Sequence, residues 1–286
     1  MTNFILATMG GLRYFLPLVK VLNVKKEKSC FHIIDSPRYS SPHFHLKHLN
    51  DLAKEFKFDI RQFNGNFNSD VWLSTEGIGF GNVKTASKKI VLTVMTDFTV
   101  FYSSYINNVD YVIFPSKFFA EYHKVVSCKN LYLGSPKYDF DLDNDIIRSK
   151  YKIVTNKNAL VLFPRHRDFG NIDILNIYSC LRNMGYNVIV KTRGKDPVSK
   201  RFKGDQYFED FTWFPHTTME LMRVSDFVIN FDSTAIKECV MLDTPLINFH
   251  IKPFSRPMDF LYNYKYCKNM SNSYTKKDFE ETVEYL

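Results

Sequence analysis

Residues 225–249 read SDFVINFDSTAIKECVMLDTPLINF. The apolar run 227–230 predicts a strand, 231–234 a tight polar turn, 234–242 a helix, and 245–249 a second strand entered through Pro245. Strand, helix and strand with almost wholly apolar strands form a unit of a parallel sheet buried on both faces. Asp232, Ser233 or Thr234 is expected to cap the helix, leaving its first N–H groups and the positive end of its dipole turned towards a ligand. Two hydroxyls and several backbone N–H groups at that point suit a diphosphate. Glu238, about one helical turn beyond Thr234, is placed to accept hydrogen bonds from a ribose. The same residues are also ordinary capping residues, and spacing alone does not separate the two readings.

The pattern repeats outward in both directions. Towards the N-terminus, strands are expected at 4–8, 31–34, 71–73, 90–94, 111–114 and 131–133, with helices at 13–22 and 45–56. After a polar stretch the pattern restarts with strands at 159–163 and 187–191 and helices at 172–184 and 217–223. A closing helix is expected at 276–285. Alternating strands and helices indicate an α/β chain with parallel sheets. The expected organisation is an N-terminal, acceptor-side domain over 1–140, a linker with a short helix over 141–158, and a C-terminal, donor-binding domain over 159–286. Ligands in such sheets bind beyond the carboxyl ends of the strands, so the polar residues that close each strand are the candidates.

The 286 residues are 45% hydrophobic and 24% charged, a globular balance. The net charge of +8 favours anionic partners. No nucleic-acid-binding motif accompanies it, so a phosphorylated small molecule, a phosphorylated or glycan acceptor, or an anionic membrane face is the expected partner, and nucleic acid is not. Five scattered cysteines without a CxxC pair read as reduced, buried thiols of a cytoplasmic protein. The opening segment lacks the basic leader of a signal peptide, and no stretch is long enough to span a bilayer. A cytoplasmic location, with peripheral contact on the inner membrane face, is therefore expected.

Basic residues gather just past two predicted strands: Arg165, His166 and Arg167 after one, Lys191 and Arg193 closing the other. Arginine matches phosphate oxygens with a planar fork and lysine supplies a compact charge, so the group is read as the basic side of a donor site. A solvated basic loop is the plain alternative. No histidine or cysteine pattern with metal-ligand spacing is present, so a metal-independent reaction without a cofactor is expected. His43 and His45, in one loop, and His48, on a helix, have no acidic partner at fixed spacing. For a catalytic base, Asp97 and Glu76 both follow predicted strands, where a carboxylate can take a hydroxyl proton; both also suit turns. His166 is a third catalytic candidate. Gly10 and Gly11 follow the first strand, as a plain turn or as a loop that lets backbone approach a ligand. Trp213 or Phe214, in the aromatic run 208–216, suits either stacking on a base or a place in the core.

Four stretches carry a resemblance. The 225–249 segment is similar to the donor-binding motif shared by the CDP-glycerol glycerophosphotransferases and the UDP-N-acetylglucosamine 2-epimerases. Three more match the former family in order. LVLFPRHRD (160–168) is similar to its strand ending in Pro-x-x-Arg-Asp, and VIVKTRGKDP (188–197) to its strand ending in Lys. GSPKYD (134–139) resembles its Gly-x-Pro-Arg-x-Asp hinge, with Lys137 in place of arginine. The resemblance spans about residues 110 to 250 and implies the glycosyltransferase-B fold: two Rossmann-like domains facing a cleft, with Arg165, Arg167, Lys191, Arg193, Asp232, Ser233, Thr234 and Glu238 on the donor. It implies a transferase moving a sugar or phosphoglycerol unit from a nucleotide-linked donor to a surface or cell-wall polymer.

The departures are specific. Thr192-Arg193 stands where that family carries a histidine, and VMTDF (94–98) where it carries Trp-His-Gly. The epimerases are the second reading, since HRDFG (166–170) resembles their His-Arg-x-Glu-Asn and Arg256-Pro257 their late Arg-Pro. Against it stand Thr234 in place of the first glycine of Asp-Ser-Gly-Gly, and Met258 in place of an acidic residue. An inactive nucleotide- or glycan-binding module is the third.

Overall fold

A computed structural model describes residues 1–34, 45–67, 69–84, 88–93, 109–117, 120, 129–164, 172–192, 198–209, 214, 216–250, 264–271 and 273–286. The chain divides into two compact units. One comprises Met1–Phe140 with Thr212–Pro215, the other Asp141–Phe211 with His216–Leu286.

The first unit is built on a seven-stranded sheet of β1 (Thr2–Leu6), β2 (Ser29–Ile33), β3 (Asp59–Gln62), β4 (Val71–Thr75), β5 (Lys88–Leu92), β6 (Tyr111–Phe114) and β7 (Lys129–Tyr132). Its order is β3-β2-β1-β4-β5-β6-β7, and every pairing is parallel. All of β1 is buried, as its place between two strands requires. Helix α1 (Leu12–Val24) turns Leu12, Phe15, Leu16 and Val19 to the core at helical spacing. Phe15 and Phe31 both lie near Phe4, with centroid distances of 5.0 Å. Helix α2 (Leu46–Phe56) adds Leu49, Leu52 and Phe56 to the same core.

The second unit opens with α3 (Asn144–Tyr151), in the stretch expected to link the domains. Asp143 caps it, its Oδ1 accepting from the N–H groups of Asp145 and Ile146 at 2.9 Å each. The sheet holds β8 (Asn158–Leu162), β9 (Asn187–Thr192), β10 (Gln206–Glu209), β11 (Phe227–Asn230), β12 (Leu246–Phe249) and β13 (Cys267–Met270). Its order is β10-β9-β8-β11-β12-β13, again parallel throughout. Helices α4 (Ile174–Asn183), α5 (Thr217–Arg223), α6 (Ile236–Leu242) and α7 (Lys276–Tyr285) complete the unit.

Both faces of this sheet are covered, and the period of two shows directly. Ala159, Val161, Phe227, Ile229, Ile247 and Phe249 enter one core with Ile177, Leu181 and Phe279. Leu160, Leu162, Val228 and Leu246 enter the other with Ile147, Leu221 and Ile236. Each sheet reverses its strand order once, between β1 and β4 in the first and between β8 and β11 in the second. The loops after those four strands therefore mark the positions where a parallel sheet offers a crevice. Among the described residues, no helix is long and apolar enough to cross a membrane.

Candidate functional site

In the second unit the crevice position is flanked by the segment after β8 and the turn after β11. The turn, 231–235, departs from the expected geometry. Helix α6 begins at Ile236, its N-cap is Ala235 in right-handed helical conformation, and no side chain caps it. None of Asp232, Ser233 and Thr234 is the cap. The reason is local competition. Asp232 has φ of +49°, away from the extended conformation of a cap residue. Its carboxylate is engaged elsewhere: Oδ1 accepts from Asn248 Nδ2 at 3.1 Å and from His250 Nδ1 at 3.0 Å. Ser233 Oγ accepts from the Ala235 N–H at 3.3 Å, a side-chain turn formed before the helix starts. The backbone N–H groups of Ser233 and Thr234 have no hydrogen-bond partner among the described residues. Two adjacent, part-exposed donors at the reversal point suit an anion.

Two asparagines that the sequence reading passed over organise this turn. Asn230, the last residue of β11, stands opposite Asn248 of β12, and both are fully buried. Asn230 Nδ2 donates to Asn248 Oδ1 at 2.8 Å, and the Asp232 N–H donates to the same oxygen at 3.1 Å. The signal was present: two neighbouring apolar strands carry Asn at matching positions near their carboxyl ends.

Lys191 is 6% exposed near the end of β9, beside Leu162 of β8 and Phe208 of β10. Its Nζ donates to the Thr192 carbonyl at 2.7 Å. A buried ammonium is costly unless it is hydrogen-bonded and compensated, so its presence at a strand's carboxyl end singles it out. Glu238, on α6, is also buried, and its Oε1 lies 4.0 Å from Nε2 of buried His216. Arg165, His166, Arg167, Arg193 and Asp97 lie outside the described residues.

In the first unit, Glu76 follows β4 and Gly10-Gly11 follow β1, so both stand at the strand-order reversal. Glu76 is 2% exposed with φ of +56°, a conformation costing a non-glycine residue about 1 kcal/mol or more. Its N–H donates to the Leu92 carbonyl at 3.0 Å. Gly10 and Gly11 sit in a 3-10 turn over Met9–Gly11. A Cβ on Gly11 would lie 2.8 Å from Leu6 Cδ1, so close packing within the unit already uses its missing side chain.

Phe214 is a core residue of the first unit, beside Phe56 and Phe140, which removes it as a partner for a base. Trp213 and His43 lie outside the described residues. Lys137, in the place of the expected hinge arginine, is buried with Nζ 5.4 Å from the Tyr138 ring and 5.8 Å from that of Tyr14. Cys30, Cys180, Cys239 and Cys267 are free thiols. Among the described residues no group of three metal-ligating side chains occurs.

No protein-family model matches the sequence, and no curated protein matches it either. Solved structures do match. The UDP-GlcNAc 2-epimerase of Methanocaldococcus jannaschii, in complex with UDP-GlcNAc and UDP, aligns with a TM-score of 0.62 at 11% identity, over 99% of this chain and 92% of that one. The wall teichoic acid polymerase TagF, soaked with CDPG, aligns with a TM-score of 0.59 at 12% identity, over 99% and 80%. The glycosyltransferase of kitacinnamycin aligns with a TM-score of 0.58 at 10% identity, over 100% and 89%. These neighbours come from the superfamily and from both families that the motifs resemble. The chain therefore has the α/β fold of the glycosyltransferase-B superfamily, with two Rossmann-like domains.

Proposed function

We propose that the chain is an enzyme acting on a nucleotide-linked donor, which it binds through the second unit. The observation that carries this reading is the 231–235 turn: it stands at the reversal of a parallel sheet and leaves the N–H groups of Ser233 and Thr234 open. Lys191, buried at the next crevice-side strand end but one, supports it. So does the sequence, which puts Arg165 and Arg167 directly after β8 and Arg193 after β9. Structures of the same fold have been solved with UDP-GlcNAc and UDP, and with CDPG.

In this reading the donor's phosphates meet the turn N–H groups and the basic residues. Those groups stabilise the charge that develops as the nucleotide departs, the main electrostatic demand of such a transfer. Glu238 takes the ribose hydroxyls. The first unit holds the acceptor, a glycan or phosphorylated polymer suited to a chain of net charge +8. Asp97, Glu76 and His166 are the candidates for moving the acceptor's proton. The reaction uses no metal and no cofactor, and the moved group is a sugar or phosphoglycerol.

A sugar-nucleotide 2-epimerase is the second reading, favoured by the match to the Methanocaldococcus enzyme over 99% of this chain. The test is a thermal-shift screen against CDP, UDP, GDP and their conjugates. A ligand at a hundred times its Kd adds about 2.7 kcal/mol to stability. Stabilisation by a CDP conjugate supports phosphoglycerol transfer. Stabilisation by UDP-GlcNAc, with configuration changed in the absence of any acceptor, makes the chain an epimerase. Binding without turnover of any conjugate makes it an inactive module, and no response to any nucleotide overturns the donor reading.

A further inference from the structure

The turn that carries the proposed function sits in a conformation that its own residue does not prefer. At φ of +49°, Asp232 occupies the left-handed region, which costs an L-residue about 1 kcal/mol unless neighbouring groups hold it there. Among the described residues, the side chain that grips it through both backbone and side chain is Asn248. The Asp232 N–H donates to Asn248 Oδ1 at 3.1 Å, and Asn248 Nδ2 donates back to Asp232 Oδ1 at 3.1 Å. These two bonds close a ring.

The ring also fixes the orientation of the amides. A backbone N–H can only donate, so the Asn248 atom facing it is the oxygen, and the nitrogen faces the carboxylate. Asn230 must then present Nδ2 to Asn248 Oδ1, as it does at 2.8 Å. The same Nδ2 lies 3.4 Å from the Ser233 carbonyl, which ties it to the turn. What remains is Asn230 Oδ1, an acceptor buried at the turn without a partner among the described residues. An acceptor in that state is where a bound hydroxyl, N–H or water belongs. His250 Nδ1 completes the arrangement as a donor to the Asp232 carboxylate at 3.0 Å.

We propose that Asn248 is a positioning residue, which holds the 231–235 turn in the conformation that presents the Ser233 and Thr234 N–H groups to the phosphates of a nucleoside diphosphate. It touches no ligand itself. Two fully buried amides between apolar strands carry a desolvation cost, which their hydrogen bonds offset only while the network is whole. Core packing alone would be served by a leucine at 248, as it is by the other residues of β12. The proposal rests on the donor-binding reading above.

The experiment compares the full-length protein with Asn248→Asp, Asn248→Leu and the swapped pair Asp232→Asn with Asn248→Asp. Asn248→Asp sets an oxygen against the Asp232 carboxylate. The swapped pair restores a donor facing an acceptor with the roles exchanged. The readouts are hydrogen exchange of the turn N–H groups and affinity for CDP and UDP, with Tm recorded alongside. Both single variants are expected to speed exchange of the hydrogen-bonded Asp232 and Ala235 N–H groups about tenfold and to weaken diphosphate binding about tenfold, while the swapped pair recovers most of both. Unchanged exchange and affinity in Asn248→Leu, or a loss that the swapped pair does not reverse, would overturn the proposal. A wild-type protein that binds neither diphosphate removes the donor reading and the purpose assigned to Asn248 with it. The exchange data still decide separately whether Asn248 holds the turn.

Discussion

Lys191 and His32 show how differently a buried cation-forming side chain can be used. Lys191 keeps its Nζ on the Thr192 carbonyl at the crevice end of its sheet. Under the proposed function its replacement by alanine weakens nucleotide binding by about 1–3 kcal/mol, the scale of a charge-assisted hydrogen bond. Titration calorimetry on Lys191→Ala checks this, and unchanged affinity with an intact fold would take the residue out of the site. His32 lies inside the first unit, its Nε2 2.9 Å from Asn3 Oδ1 and its ring 4.7 Å from that of Trp72. Burial, with the nearby Arg61 charge adding to it, lowers its pKa to about 4. The unfolded chain binds that proton near the ordinary value of 6.5 and the folded chain does not. The stability tied to His32 is thus fully present above pH 6.5 and is lost as pH falls towards 4. Between pH 7.5 and 5 the loss is about 2 kcal/mol. Urea unfolding of wild type and His32→Gln at both pH values tests it: the variant keeps an amide donor for Asn3 and is expected to lose that much less. Equal losses would remove His32 from the pH response.

At the scale of the element, burial decides what a sequence reveals. Strands enclosed on both sides, such as β1, β8 and β11, are continuous apolar runs, and the pattern finds them. Three of the four edge strands, β3, β10 and β13, read Asp-Ile-Arg-Gln, Gln-Tyr-Phe-Glu and Cys-Lys-Asn-Met and are largely exposed or half-buried. An edge strand needs no apolar partner on its open side, so all three escaped the periodicity. Helix α6 was misplaced for a different reason: its start is set by a bond to Asn248, sixteen residues on from Asp232, and no local rule contains that. Helix α7 carries its own signal. Thr275 Oγ1 accepts from the Asp278 N–H at 3.1 Å, and Asp278 Oδ2 accepts from the Thr275 N–H at 2.8 Å. This reciprocal box holds the helix whose Phe279 and Val283 enter the second unit's core. Thr275→Ala is expected to cost about 1 kcal/mol in thermal unfolding, and no measurable loss would mean that packing of Phe279 and Val283 alone seats α7.

Across the whole molecule, the chain passes between its units three times, because Thr212–Pro215 returns to the first unit from within the second unit's sequence. Two β/α series were readable from the alternation of strands and helices, and so were the strand-end positions of Glu76, Lys191 and Asp232. The return segment was not, since nothing in the aromatic run 208–216 distinguishes a residue stacked on a ligand from one buried in a distant core. The surroundings of Phe214 make the distinction. Its ring is 5.7 Å from Phe56 and 5.5 Å from Phe140, and its carbonyl lies 2.7 Å from His48 Nε2. These partners all belong to the first unit. Removing the ring leaves a cavity there, for which a Phe→Ala change costs about 3 kcal/mol. Although residue 214 follows β10 of the second unit, Phe214→Ala is therefore expected to speed hydrogen exchange in β1, α1 and α2 more than in β8, β9 and β11. Exchange that rises equally in both sets of elements, or only in the second, would mean that the segment's seat in the first unit contributes nothing to that unit's stability.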